Sequence, residues 1–309
     1  MDRSVIMEGS SATPTPEEPV VSMQTTSGGV QPESGEVDES VAVLLARRSK
    51  SRWRRAGKAS IGPLIILAAI IGVWYLVSYV VLSPSRRFLL PPPHQVIQQA
   101  FLTSANLSVL MNAMAVTTEV AMTGLALAIA IGMAIAIAMS EAKSIERGLY
   151  PYIVVLQTIP ILALVPLVGF WLGFGFSARV VVCVLISLFP IIANTLFGLQ
   201  SYSSTYQELF ELHRASRLTR LVKLKLPMAL PSILNGFRIS AGLSVIGEIV
   251  GGYFFQQGTP DIGVLLDQFT SQLNGQMLFG AILLASTLGV VVFWVFGGIS
   301  ALVVGRWKE

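Results

Sequence analysis

Six long apolar runs, separated by short polar segments, set the pattern of the chain. The first, 61–82, contains no charged residue and is 22 residues long, enough for a helix of about 33 Å. It is longer than a signal-peptide core and follows a long polar tail, which predicts an uncleaved span. The second, 109–139, is interrupted only by Glu119. It exceeds the length of one crossing, so it is expected to tilt or to emerge at one end. The third, 149–176, contains Pro151, Pro160 and Pro166 and is read as a single span. The fourth is 178–199; the fifth, 232–255, carries Arg238 and Glu248; the sixth is 277–304. The pattern predicts an all-α, polytopic membrane protein with six transmembrane helices.

Three connections are long enough to have structure. Residues 83–108 contain Leu90-Pro91-Pro92-Pro93, which can start a short helix through Val96 and Ala100. Residues 256–276 carry Gly258, Pro260 and Gly263, then a polar helical stretch with Asp267, Gln268 and Gln272. Residues 201–230 are charged and helical in character.

Composition agrees with this reading. The 309 residues are 53% hydrophobic and only 12% charged, against about a quarter charged in average soluble domains. A single cysteine, Cys183, excludes an intramolecular disulfide framework, and two distant histidines, His94 and His213, argue against a metal site. Mid-span, Cys183 reads as a small core residue.

Charge placement changes the picture more. Residues 1–46 hold Asp2, Glu8, Glu17, Glu18, Glu33, Glu36, Asp38 and Glu39 against Arg3 alone, in a Ser/Thr/Pro/Gly-rich context. This stretch reads as a disordered acidic tail. Residues 47–60 hold Arg47, Arg48, Lys50, Arg52, Arg54, Arg55 and Lys58 with no acid, a juxtamembrane flank and not a nucleic-acid site. With the N-terminus in the cytoplasm, 17 Lys/Arg fall inside and only Arg86, Arg87 and Arg179 fall outside. That bias predicts cytoplasmic termini in a plasma-membrane protein.

Within the spans, Gly124, Ala128, Gly132 and Ala136 recur at every fourth position, the spacing of a close helix–helix contact. The three prolines of the third run make it either a flexing path-lining helix or a static kink. Glu119 and Glu248 both fall in the outer half of the membrane, where they either border a substrate path or serve as structural acceptors. Arg238, near the inner end of its span, can partly snorkel.

No phosphate loop, H-E-x-x-H, G-x-S-x-G or dinucleotide fingerprint occurs. The chain therefore reads as a conduit driven from elsewhere, by an ion gradient or by a separate ATPase; a membrane scaffold is the remaining class.

The stretch 208–238 separates these readings. It runs Glu208-Leu209-Phe210, Ala215, Leu226-Pro227, Pro231 and Gly236-Phe237-Arg238. This order and spacing resemble the EAA loop of ABC importer permeases of the MetI-like, binding-protein-dependent family. Gln157-Thr158-Ile159-Pro160, Ala163, Pro166-Leu167 and Trp171, Gly173 and Gly175 are similar to its nitrate/sulfonate/taurine and vitamin-precursor branch. The resemblance covers about residues 60–305.

The resemblance implies a permease domain over 61–305 with a cytoplasmic coupling loop at 201–230. It implies a homodimer, two cytoplasmic ABC ATPase subunits that carry the ATP and Mg, and an extracytoplasmic solute-binding protein. This chain itself would bind no cofactor or metal and perform no bond chemistry. The solute would be a nitrate-, sulfonate- or taurine-like anion, or a pyrimidine- or riboflavin-type vitamin precursor. Coupling to the ATPase would fall to Glu208, Leu209, Phe210, Leu212, Ala215, Arg217, Leu218, Leu221, Leu226 and Pro227, an amphipathic segment suited to groove docking. Glu119, Gln157, Pro160, Pro166 and Glu248 would lie along the translocation path. Two departures stand out. Leu209 and Phe210 replace the family's alanines, and Arg214 replaces its loop glycine, which predicts a continuous helix because arginine disfavours positive φ. The acid usual in the vitamin-precursor branch is displaced to Glu248 by about one turn.

Overall fold

The computed structural model describes residues 62–305. The acidic tail 1–46, the basic flank 47–60 and the terminal Arg306 and Lys308 lie outside the described residues. Every regular element among the described residues is helical.

Helix α1 is Gly62–Val81, ending in a π-helical turn over Val77–Val81. It leaves Val73, Leu76 and Val80 exposed, an apolar face suited to lipid. The Trp74 indole donates to the Pro91 carbonyl at 3.0 Å and meets Phe279 at 5.4 Å between ring centroids. A short α2, Pro93–Val96, continues as a π-helix over Ile97–Leu102. It starts on proline because a first-turn residue has no intrahelical donor to lose. Val96 and Ala100 are buried.

Helix α3, Ser104–Glu141, has 38 residues, a length of about 57 Å at 1.5 Å per residue. Its buried face carries Thr117, Ala121, Gly124, Ala128, Gly132 and Ala136.

The run 149–176 is not one continuous helix. It forms α4, Lys143–Thr158, and α5, Ile161–Leu172, which meet at a bend of 100°. The break belongs to Pro160, whose ring excludes Ile159 from the helical region; Ile159 is extended, at φ −67° and ψ 127°. Pro151 and Pro166 lie inside α4 and α5, which continue through them. Gly173, at φ +77°, turns the chain into α6, Phe176–Gln200.

The polar connection after α6 is shorter than the 201–230 loop expected from sequence. Helix α7, Ser204–Leu212, is followed after four residues by α8, Arg217–Phe255. The helix that carries the fifth span thus begins well before residue 232. A π-helical turn, Leu221–Lys225, immediately precedes Leu226-Pro227, where proline cannot donate to the carbonyl one turn back. Gln256, in the left-handed region, ends α8. Helix α9 is Ile262–Ser271 and α10 is Gly275–Gly305.

The core is built on α6 and α8, with α3 and α10 packed against them. Small residues bring the backbones together. An added Cβ at Gly247 would stand 3.1 Å from Cys183 Cα, and one at Gly132 would stand 2.7 Å from Ile191 Cγ2. Ala128 and Ala136, which share the stripe with Gly124 and Gly132, are fully buried. A second cluster joins Ala100, Leu110, Ile262, Leu265, Phe269 and Met277 at the other end of the bundle from α7.

Candidate functional site

The polar end formed by α7 and the start of α8 contains the sequence-predicted coupling residues. The Ser203 hydroxyl accepts from Thr205 N–H and starts α7; the Ser216 hydroxyl accepts from Thr219 N–H at 3.1 Å and starts α8. Between them the chain turns and does not run on as one helix. Arg214 takes φ +50°, with Arg214 N–H donating to Glu211 O at 2.9 Å and Ala215 N–H to Phe210 O at 3.0 Å. Pairing these helix-end carbonyls compensates the backbone strain at a non-glycine residue. The continuous helix expected from Arg214 is therefore corrected.

Leu209, Leu212 and Leu218 are 48, 81 and 69% exposed. They stand beside exposed Glu208 and Arg217, so the apolar face is uncovered. Phe210, Ala215, Leu221, Leu226 and Pro227 are half-buried and root the segment. Glu211 accepts from Gln207 at 2.9 Å and from Arg220 at 3.2 Å, bracing α7 against α8. Lys225 donates to Glu141 at 2.7 Å and to Ser140 O at 3.2 Å, tying α8 to the end of α3. A cavity of about 220 Å³ lies between these groups, lined by Glu141, Tyr202, Gln207, Arg217, Arg220 and Lys225.

The break between α4 and α5 opens a second cavity of about 260 Å³. Gln157 supplies an amide there, among Leu156, Ile159, Ile161, Leu185, Phe189 and Leu243. Its lining includes no charged side chain. Pro160 is exposed beside it; Pro166 is exposed on α5 and is not among the lining residues.

The two intramembrane acids do not share an environment. Glu119 is exposed on α3, whereas Glu248 is fully buried on α8. Of the two alternatives read from the sequence, path border or structural acceptor, burial beside Thr117, Asp261 and Arg179 favours the second for Glu248. Arg238 is half-buried. Its guanidinium lies over the Phe293 ring at 3.9 Å, beside Gly297.

Arg179 and Asp261 are groups the sequence reading missed. Arg179, in the first turn of α6, is 2% exposed and pairs with Asp261, itself fully buried. The guanidinium also donates to the carbonyls of Gln257 and Thr259. Asp261 accepts from Val264 N–H at 2.7 Å, capping α9, and Thr117 Oγ1 accepts from Ile262 N–H at 3.0 Å. Asp261 before Ile262-Gly263 was recognisable as a helix cap. Its pairing with Arg179 crosses 82 positions and leaves no local signal.

The family model described as "Binding-protein-dependent transport system inner membrane component" matches residues 126–305. The formylaminopyrimidine transport permease protein ThiX of Halalkalibacterium halodurans is 31% identical over 231 residues, 75% of this chain and 90% of that protein. The putative aliphatic sulfonates transport permease protein SsuC of Escherichia coli is 33% identical over 229 residues, 74% of this chain and 85% of the relative. The taurine transport system permease protein TauC of Escherichia coli is 30% identical, covering 84% of this chain and 93% of its own length.

Proposed function

Because the chain belongs to the binding-protein-dependent transport system inner membrane components, we propose that it is the permease subunit of an ATP-driven importer working as a homodimer. The observation that carries this reading is the uncovered apolar face of Leu209, Leu212 and Leu218 on the α7–turn–α8 segment. An exposed amphipathic segment of this kind suits the groove of a partner protein. Two cytoplasmic ATPase subunits would clasp it and would hold the ATP and Mg; this chain holds neither.

The α7 end then faces the cytoplasm, as the Lys/Arg distribution favours, and the Asp261 end faces outward toward a solute-binding protein. ATP binding closes the ATPases and moves α7 with them. Lys225–Glu141 and Arg220–Glu211 pass that displacement to α3 and α8. The α4–α5 break and the cavity beside Gln157 lie along the route that opens. The cargo is a small solute. Aliphatic sulfonates, taurine and formylaminopyrimidine are the solutes named for the relatives, and the solute-binding protein does most of the selecting.

The test is a membrane extract in which the tagged chain is purified and its partners identified, followed by reconstituted uptake. The native sequence brings down a stoichiometric ATPase and takes up solute only with ATP. Glu208→Ala combined with Arg217→Glu keeps the fold and loses ATP-driven uptake by about ten-fold or more, a change of at least about 1.4 kcal/mol. Full transport by this double variant, or uptake in membranes without an ATPase, overturns the reading.

A further inference from the structure

The buried cluster at the Asp261 end contains a mismatch between donors and acceptors. Arg179 is a cation in the first turn of a helix, where the helix dipole disfavours positive charge. Asp261 compensates it, and two carbonyls from 257–259 take further guanidinium protons. Arg179 therefore holds the α8–α9 connection onto α6. Yet Nε of Arg179 is buried without a partner, and so are both carboxyl oxygens of Glu248. A spare donor and two spare acceptors thus lie in one dry interior, and buried polar groups are rarely left unpaired.

Their placement puts them on neighbouring turns of packed helices. Gly251 packs on Arg179, with an added Cβ only 3.4 Å from Arg179 Cα. Glu248 precedes Gly251 by three residues, one turn along the same face of α8. Breaking a buried ion pair outright is strongly unfavourable because it strands a charge. A second carboxyl group beside the first lowers that barrier: the guanidinium can engage one as it leaves the other.

We infer that Arg179 is a two-position latch of the outer gate, paired with Asp261 when the 256–261 connection is closed onto α6 and with Glu248 when that connection is released. These three are positioning residues, since none needs to touch the solute. In the resting arrangement Asp261 serves two partners, Arg179 and the α9 N-terminus. When the cytoplasmic lever moves α8 against α6, the Glu248 turn slides along Arg179 and takes the guanidinium. Asp261 keeps its cap on α9, so the connection swings with that helix. The inference rests on the importer reading, because it needs an outward-opening step.

The test uses the whole complex of permease, ATPase and binding protein in proteoliposomes, with Thr259→Cys as a reporter on the connection. Native Cys183 is buried and stays silent. A membrane-impermeant maleimide should label Cys at 259 faster when ATP and vanadate trap the complex. Glu248→Gln keeps the side chain's shape and removes its charge. It should abolish that acceleration and cut uptake about ten-fold, with ATP hydrolysis and thermal stability retained, the cost expected when a buried cation loses its alternative partner. Asp261→Asn should label rapidly even without ATP. Labelling and uptake in Glu248→Gln equal to the native complex would make Glu248 a neutral packing group and overturn the latch. So would labelling that ATP does not change in the native complex. Absence of ATP-driven uptake by the native complex overturns instead the importer reading, and the latch with it.

Discussion

An added Cβ at Gly132 would sit 2.7 Å from Ile191 Cγ2, whereas its neighbours Ala130 and Ala134 are exposed on α3. The same helix therefore tolerates bulk on one side and refuses it on the other. Gly132→Val should destabilise the purified protein in detergent by about 1–3 kcal/mol of overpacking, read as a lower melting temperature. Ala130→Val should leave it unchanged. Equal shifts for the two would mean that α3 does not pack as described. Arg238 makes a related point about chemistry. Sequence alone placed it near the inner membrane edge, free to reach water. The structure stacks its plane over Phe293, a contact open to guanidinium because its flat face is weakly hydrated.

At the level of helices and turns, two junctions govern how the pieces can move. The first is Arg214, whose left-handed conformation costs about 1 kcal/mol or more at a non-glycine residue. Arg214→Gly should preserve the turn and raise stability by a fraction of that amount, with uptake retained. Arg214→Ile should disrupt the α7–α8 angle and uncouple ATP hydrolysis from uptake, measured side by side in the reconstituted complex. Equal coupling in both variants would remove the turn from the mechanism. The second junction is Pro160. Replacing it with alanine lifts the restriction on Ile159, so α4 and α5 gain access to a straighter arrangement. Pulsed-EPR distances between labels on Tyr152 and Phe170, both exposed, should lengthen and broaden in Pro160→Ala. An unchanged distribution would mean that packing, and not proline, sets the 100° bend.

For the whole molecule, the proposed orientation follows from a charge count and is open to direct measurement. A cysteine at Leu212 should react with an impermeant maleimide only in inside-out vesicles, and one at Gln95 only in right-side-out vesicles. The reverse result inverts the topology and removes the coupling loop from the ATPase. The helical architecture was legible in the sequence because apolar runs with few charges admit little else at this length. The amphipathic α7–turn–α8 segment was legible because its leucines, prolines and arginines fall in one local stretch; the coupling role proposed for it rests on the family resemblance. What was hidden is instructive. Pro151, Pro160 and Pro166 each lack an N–H, so composition alone does not say which one breaks the run; that depends on whether the preceding residue stays helical and on what fills the gap. The fifth helix was started too late because Arg217–Lys225 is charged on a surface that the fold leaves partly in water. The Arg179–Asp261 pair was invisible because it joins positions far apart in the chain, and only the folding of the α8–α9 connection onto α6 brings them together.

The length of α3 has a bearing on where the protein can work. A rod of 38 residues is nearly twice as long as the hydrocarbon layer of about 30 Å is deep. Its far end is pinned to the lever through Lys225 and Glu141. Lipids with longer tails would stand this rod more upright and shorter ones would lay it over, each shifting the resting height of the lever. On that geometry the set-point of the lever would depend on the thickness of the layer around it, and turnover would be shared between the polypeptide and its lipids.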